Sequence, residues 1–135
     1  MEIFIDTSAL YAFISEDDRN HELAREIWGA LLIGEDKLLT NSYVLVESLT
    51  LIQQRLGMKY VRAFLPRFTP ILRVEWLGQE HHSRAVEQLL TADRRQLSLV
   101  DCSSFETMRR LGIDKAFTFD EHFREQGFEV IPSAS

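Results

Sequence analysis

A chain of 135 residues, 45% hydrophobic and 27% charged, suits one soluble domain with a single core and is too short for two ordinary ones. Its net charge of −6 and pI near 5.2 argue against a broad basic face for nucleic acid, although acids gathered around divalent cations would lose much of that weight. The single Cys102 rules out an internal disulfide and fits a reducing compartment.

Along the chain, short apolar runs alternate with helical patterns. Glu2 to Ile5 predicts a buried strand, and Thr7 to about Ile14 a short helix opening directly from it. Asp17-Asp18 offers an N-cap for an amphipathic helix through Leu23, Ile27, Ala30 and Leu31, stopped by Gly34. Lys37 to Thr40 is the second strand. Asn41 or Ser42 then caps a longer helix carrying Leu45, Leu49, Ile52 and Leu56, with Gly57 just past its end. A shorter helix covers about Lys59 to Phe68, interrupted near Pro66; Ile71 to Leu77 is the third strand and Gln79 to Ala92 the next long helix.

Ser98 to Val100 leads into a helix from about Ser103 to Leu111, with a capping box in Ser103 and Glu106 and a stop at Gly112. Lys115 to Phe119 is the fourth strand, a short helix follows Asp120 and ends at Gly127, and Phe128 to Ile131 is the fifth strand. This alternation predicts an α/β fold with a parallel five-stranded sheet covered by helices on both faces, three layers in a single domain over residues 1–135. Met1-Glu2 shows no basic leader, and the sparsely charged stretch Leu38 to Gln54 holds too many polar residues for a membrane span. A cytoplasmic protein without a membrane partner is expected.

Four acids stand alone in apolar surroundings. Asp6 is the only charge between Ile3 and Ser15, Glu47 the only one from Leu38 to Gln54, Asp101 the only one from Gln96 to Phe105, and Asp120 ends the run Ala116-Phe117-Thr118-Phe119. Carboxylates rarely sit in such segments unless something positive offsets their desolvation, and no Lys or Arg lies within them. Asp6 and Asp120 fall at the carboxyl ends of predicted strands, where open α/β sheets bind ligands. Two carboxylates about 6 Å apart repel by roughly 3 kcal/mol at an effective dielectric of about 20. A cation answers that repulsion, and oxygen-only ligands favour Mg²⁺ or Mn²⁺ over zinc. Two such ions about 4 Å apart clamp a phosphodiester for in-line attack by water.

The stretches Phe4-Ile5-Asp6-Thr7-Ser8-Ala9-Leu10, Val44-Leu45-Val46-Glu47-Ser48, Leu97-Ser98-Leu99-Val100-Asp101-Cys102-Ser103-Ser104-Phe105 and Phe117-Thr118-Phe119-Asp120-Glu121-His122-Phe123 resemble a PIN-domain protein, in particular the toxin ribonucleases of VapBC toxin–antitoxin systems. The resemblance spans essentially the whole chain. It implies that Asp6, Glu47, Asp101 and Asp120 form an acidic quartet binding one or two Mg²⁺ or Mn²⁺ ions, Asp6 and Asp101 being the principal ligands. It further implies that hydroxyls of Thr7 or Ser8 and of Thr118 orient those acids or the bound water. The implied activity is metal-dependent cleavage of RNA, in a homodimer inhibited by a cognate VapB-like antitoxin. Some relatives carry a further acid near the fourth; Glu121 is the neighbouring candidate here, its role left open.

Each residue also has a simpler reading. Asp6, Asp101 and Asp120 all fit helix starts, where a carboxylate is favoured, and Glu47 fits a polar strip with Tyr43, Thr50 and Gln54. The four histidines read as solvated surface, although His122 stands only two positions from Asp120. Arg94-Arg95 and Arg109-Arg110 read as solvated faces, with contact to RNA phosphates as the minority reading. Trp28, Trp76 and the phenylalanines read as core. A phosphatase using Asp6 as nucleophile would want a second Asp at the position of Ser8, and a receiver-like domain lacks its other acids and its lysine. A non-catalytic binding module on the same fold stays open as the alternative.

Overall fold

The structure, a computed structural model, describes residues 1–133. The chain runs β1 (Glu2–Ile5), α1 (Thr7–Ile14), α2 (His21–Ile33), β2 (Lys37–Asn41), α3 (Ser42–Leu56), α4 (Met58–Phe68), β3 (Arg73–Glu75), α5 (Gln79–Ala92), α6 (Leu99–Leu111), β4 (Lys115–Phe117), α7 (Glu121–Glu125) and β5 (Glu129–Ile131). The five strands form one sheet in the order β3-β2-β1-β4-β5, every neighbouring pair parallel. The three-layer α/β expectation holds.

Side chains alternate across a strand, yet Ile3, Phe4 and Ile5 are each no more than 1% exposed. Helices must therefore cover both faces of the sheet. Register assigns the faces. Ile5 is paired with Phe117, whose ring meets Trp28 at 5.4 Å; Trp28 in turn meets Phe68 at 5.2 Å, and Phe68 meets Phe64 at 4.9 Å. That face belongs to α2 and α4. Phe4 is paired with Ala116 and packs on Phe123 (6.4 Å), which meets Phe105 at 5.0 Å, so α6 and α7 cover the other face.

Several boundaries differ from expectation. α2 starts at His21 after Asn20, and Asp18 uses its carboxylate to hold the Asn20 N–H in the preceding turn (2.8 Å). The buried stripe of α2 is Ala24, Trp28 and Leu31, whereas Leu23 and Ala30 face solvent. α4 runs through Pro66 unbroken; the missing N–H falls in its exposed last turn, and Phe64 and Phe68 anchor the helix on either side. β3 is three residues long, because after Glu75 the chain leaves the sheet and Leu77 donates its N–H to the Ser42 hydroxyl (3.0 Å). Trp76 is 72% exposed, not core. β4 stops at Phe117, where Thr118 and Phe119 turn toward the site.

Candidate metal centre

The chain builds outward from β1 to β2 and β3, then crosses back to place β4 on the other side of β1. β1 and β4 thus flank the point where strand order reverses, the usual crevice for a ligand in such sheets. Asp6 follows β1 and Asp120 lies three residues beyond β4. α3 and α6 carry Glu47 and Asp101 to the same place. All four acids line one cavity of about 300 Å³, together with Thr7, Ser8, Tyr11, Asp18, Asn20 and Arg55 among others.

Local structure fixes each aspartate by one oxygen. Asp6 caps α1, and its Oδ2 accepts from the Ser8 hydroxyl (2.7 Å), the Thr118 hydroxyl (2.8 Å) and the Ser8 N–H (3.4 Å). Asp120 caps α7, its Oδ1 accepting from the His122 N–H (2.9 Å). Asp101 closes a capping box with Ser98: the Ser98 hydroxyl accepts from the Asp101 N–H (3.0 Å), and Asp101 Oδ2 accepts from the Ser98 N–H (3.2 Å). The box therefore lies one turn before Ser103 and Glu106. Ser103 sits inside the helix, giving its hydroxyl proton to the Val100 carbonyl (2.7 Å). In all three aspartates the second oxygen accepts no hydrogen bond among the described residues, and none of the three is sealed from the cavity. The capping reading holds for all three aspartates, and all three also line the cavity that Glu47 shares.

The electrostatics follow. Burial pushes the Asp6 carboxyl up to about 6; the Ser8 and Thr118 hydroxyls pull against it, and the charges of Asp101 and Asp120 push further. Glu47 is raised by burial, with the Thr7 hydroxyl opposing and Asp6 and Asp120 adding to the rise. Asp101 is raised by burial and by Asp120, against the hydrogen bonds from Ser98. Glu47 does not run to solvent on a polar strip; it faces the other acids from one side of α3.

One residue escaped the sequence reading, and another was read as surface and noted only for its closeness to Asp120. Arg55 lines the acidic cavity, its guanidinium 5.3 Å from the centre of the Tyr11 ring. Glu47, Leu51 and Arg55 recur every four residues and share one face of α3, a spacing that could have revealed it. His122 is the other: its side chain is 16% exposed, and Nδ1 lies 3.1 Å from Asp120 Oδ1 and 3.5 Å from Asp101 Oδ2. Ligand atoms of Asp101, Asp120 and His122 all fall within 4.8 Å of one another, a tighter group than the one Asp6 and Glu47 complete across the cavity. Arg94, Arg109 and Arg110 serve the scaffold, and Arg95 is exposed. Arg94 meets Glu125 (3.2 Å), Arg109 stacks over Phe128 and bonds Gln126, and Arg110 lies 3.6 Å from the buried Glu106. Glu121 pairs with Arg124 on the surface (2.7 Å).

The family model of the PIN domain matches residues 3–129. The chain belongs to the PIN-domain family. It is similar to the 23S rRNA-specific endonuclease VapC20 of Mycobacterium tuberculosis, 36% identical over 132 residues that cover 96% of this chain and 98% of that one. The crystal structure of that species' VapC20, described as a Sarcin-Ricin loop cleaving toxin, superposes with a TM-score of 0.84 at 33% identity, covering 93% of this chain and 95% of that chain. VapBC2 from Rickettsia felis, bound to a DNA fragment from its promoter, shares the PIN fold at a TM-score of 0.67 and 11% identity, over 96% of this chain and 97% of that chain. Among the described residues no helix is long and apolar enough to cross a membrane.

Proposed function

We propose that this protein is a divalent-metal-dependent endoribonuclease, the toxin of a VapBC-type toxin–antitoxin pair working in the cytoplasm as one PIN unit over residues 1–135. The observation that carries the reading is the convergence of Asp6, Glu47, Asp101 and Asp120, from four separate segments, on one cavity at the strand-reversal point. The donor set fits Mg²⁺ or Mn²⁺: four carboxylates line one cavity, and each of the three aspartates keeps one oxygen free of hydrogen bonds among the described residues.

Asp6, Asp101, Asp120 and Glu47 would hold one or two ions. Held there, a cation would supply charge neutralisation at the scissile phosphate and a more acidic water near neutral pH. The rest of the work belongs to the chain. Ser8 and Thr118 lock the Asp6 carboxylate, while Thr118 also accepts the Asp120 N–H (3.0 Å) and so ties the two acids' segments together. Thr7 favours the charged form of Glu47, and Ser48 donates to the Thr7 hydroxyl (3.1 Å) to keep it there. Arg55 at the rim offers a guanidinium to the RNA backbone.

The substrate class is structured RNA, and the sarcin–ricin loop that names the relative's activity is the first RNA to try. A toxin made inside its own cell needs an inhibitor, and a VapB-like antitoxin is the proposed partner. Purified, antitoxin-free protein should cleave that loop with Mg²⁺ or Mn²⁺, stop with EDTA, and lose at least about a hundredfold in rate as Asp101→Asn. Cleavage that survives both chelation and that substitution would assign the chemistry elsewhere; cation binding without cleavage of any RNA would favour the non-catalytic module.

A further inference from the structure

We propose that His122 is itself a metal ligand, through Nδ1, and that it shifts the centre toward transition-metal ions and away from Mg²⁺. This rests on the metal-centre reading above and adds a nitrogen to an otherwise all-oxygen site.

Position makes the case. Asp120 caps α7 and receives the His122 backbone N–H, so the first turn of the helix folds the imidazole back over its own cap. The charged neighbours on α7, Glu121 and Arg124, pair with each other at the surface, whereas His122 turns inward beside the wholly buried Phe123. Nδ1 is fully buried, yet neither nearby carboxylate oxygen is oriented to form a hydrogen bond with it. A buried polar nitrogen without a partner is costly and calls for one.

The distances suit a shared cation. Two neighbouring ligands about 2.1 Å from one octahedral ion lie about 3.0 Å apart; Nδ1 stands 3.1 Å from Asp120 Oδ1 and 3.5 Å from Asp101 Oδ2. An ion seated against this edge satisfies the nitrogen and both carboxylates together. Imidazole favours first-row transition metals, while Mg²⁺ keeps to oxygen and water. The acids provide charge, and His122 provides discrimination.

The test uses the full chain, free of antitoxin, and Mn²⁺ as the probe. Pulsed electron paramagnetic resonance of the Mn²⁺-loaded protein should show coupling to a directly bound ¹⁴N, absent in His122→Asn. Calorimetry should find that His122→Asn weakens Mn²⁺ binding by about tenfold or more while Mg²⁺ binding changes by less than about threefold. If His122→Asn does not fold, replacing His21, His81 and His82 instead should leave the coupling intact. Mn²⁺ that binds without nitrogen coupling would overturn the role of His122 and leave the acidic centre standing. A protein that takes up no Mn²⁺ at all would remove both.

Discussion

Burial raises the Asp6 carboxyl from 3.8 to about 6, so a metal-free molecule at neutral pH carries an anion that its surroundings resist. Between those two values the folded state binds more protons than the unfolded chain, and stability contributed at this position falls as pH rises. The full loss, reached above about pH 6, is about 3 kcal/mol. Asp6→Asn keeps an acceptor for Ser8 and Thr118 but removes the charge. Without metal, its melting temperature should therefore exceed that of the wild type by an amount that grows from pH 4 to pH 7, even though cleavage is lost. Thermal melts across that range check this; a difference that stays flat with pH would mean that Asp6 is not under strain. Added Mn²⁺ should narrow the gap by stabilising only the wild type.

At the scale of elements, α6 shows how the sequence both reveals and conceals the site. Two Ser-x-x-acid spacings stand five residues apart, Ser98 to Asp101 and Ser103 to Glu106, and local pattern alone does not choose between them. Tertiary packing chooses: beginning the helix at Leu99 buries Ser103, Ser104 and Thr107, whose hydroxyls bond carbonyls one turn back, and lets Asn41 reach Ser103 and Thr107. The acid at the site is thus also the third residue of its helix. Ser98→Ala should cost about 1 kcal/mol in chemical denaturation and also weaken Mn²⁺ binding, since Asp101 loses its brace. A variant that loses stability but keeps full metal affinity would show that Asp101 is oriented by something else. Asp6, Glu47, Asp101 and Asp120 were legible because each is a lone charge in an apolar run. His122 was not, because only the turn of α7 brings its ring back over Asp120, and Arg55 was hidden by reading α3 for its core face alone.

For the whole molecule, strand–helix alternation was enough to give the parallel sheet and its two coverings. Edges were harder: β3 ends early where the Leu77 N–H turns to the Ser42 hydroxyl, and β4 where the Thr118 hydroxyl turns to Asp6, contacts that no local pattern encodes. The exposed Val46, 60% accessible, leaves apolar surface at a groove of about 450 Å³ lined by Tyr43, Val46, Glu47, Thr50, Leu51 and Val100. Exposed apolar surface of this kind marks an interface, and if the chain forms the homodimer that the resemblance implies, this face is where a second copy would seat. Val46→Glu should then elute as a monomer in size-exclusion chromatography where the wild type elutes as a dimer; two monomeric proteins would leave that face to the antitoxin.

The split duty of the three aspartates has one more consequence. Each anchors its helix through a hydrogen bond that stands with no cation bound, so emptying the centre takes nothing from the scaffold. Chelation should produce a dormant enzyme and not a collapsed one, ready to resume work on ion return with no refolding in between.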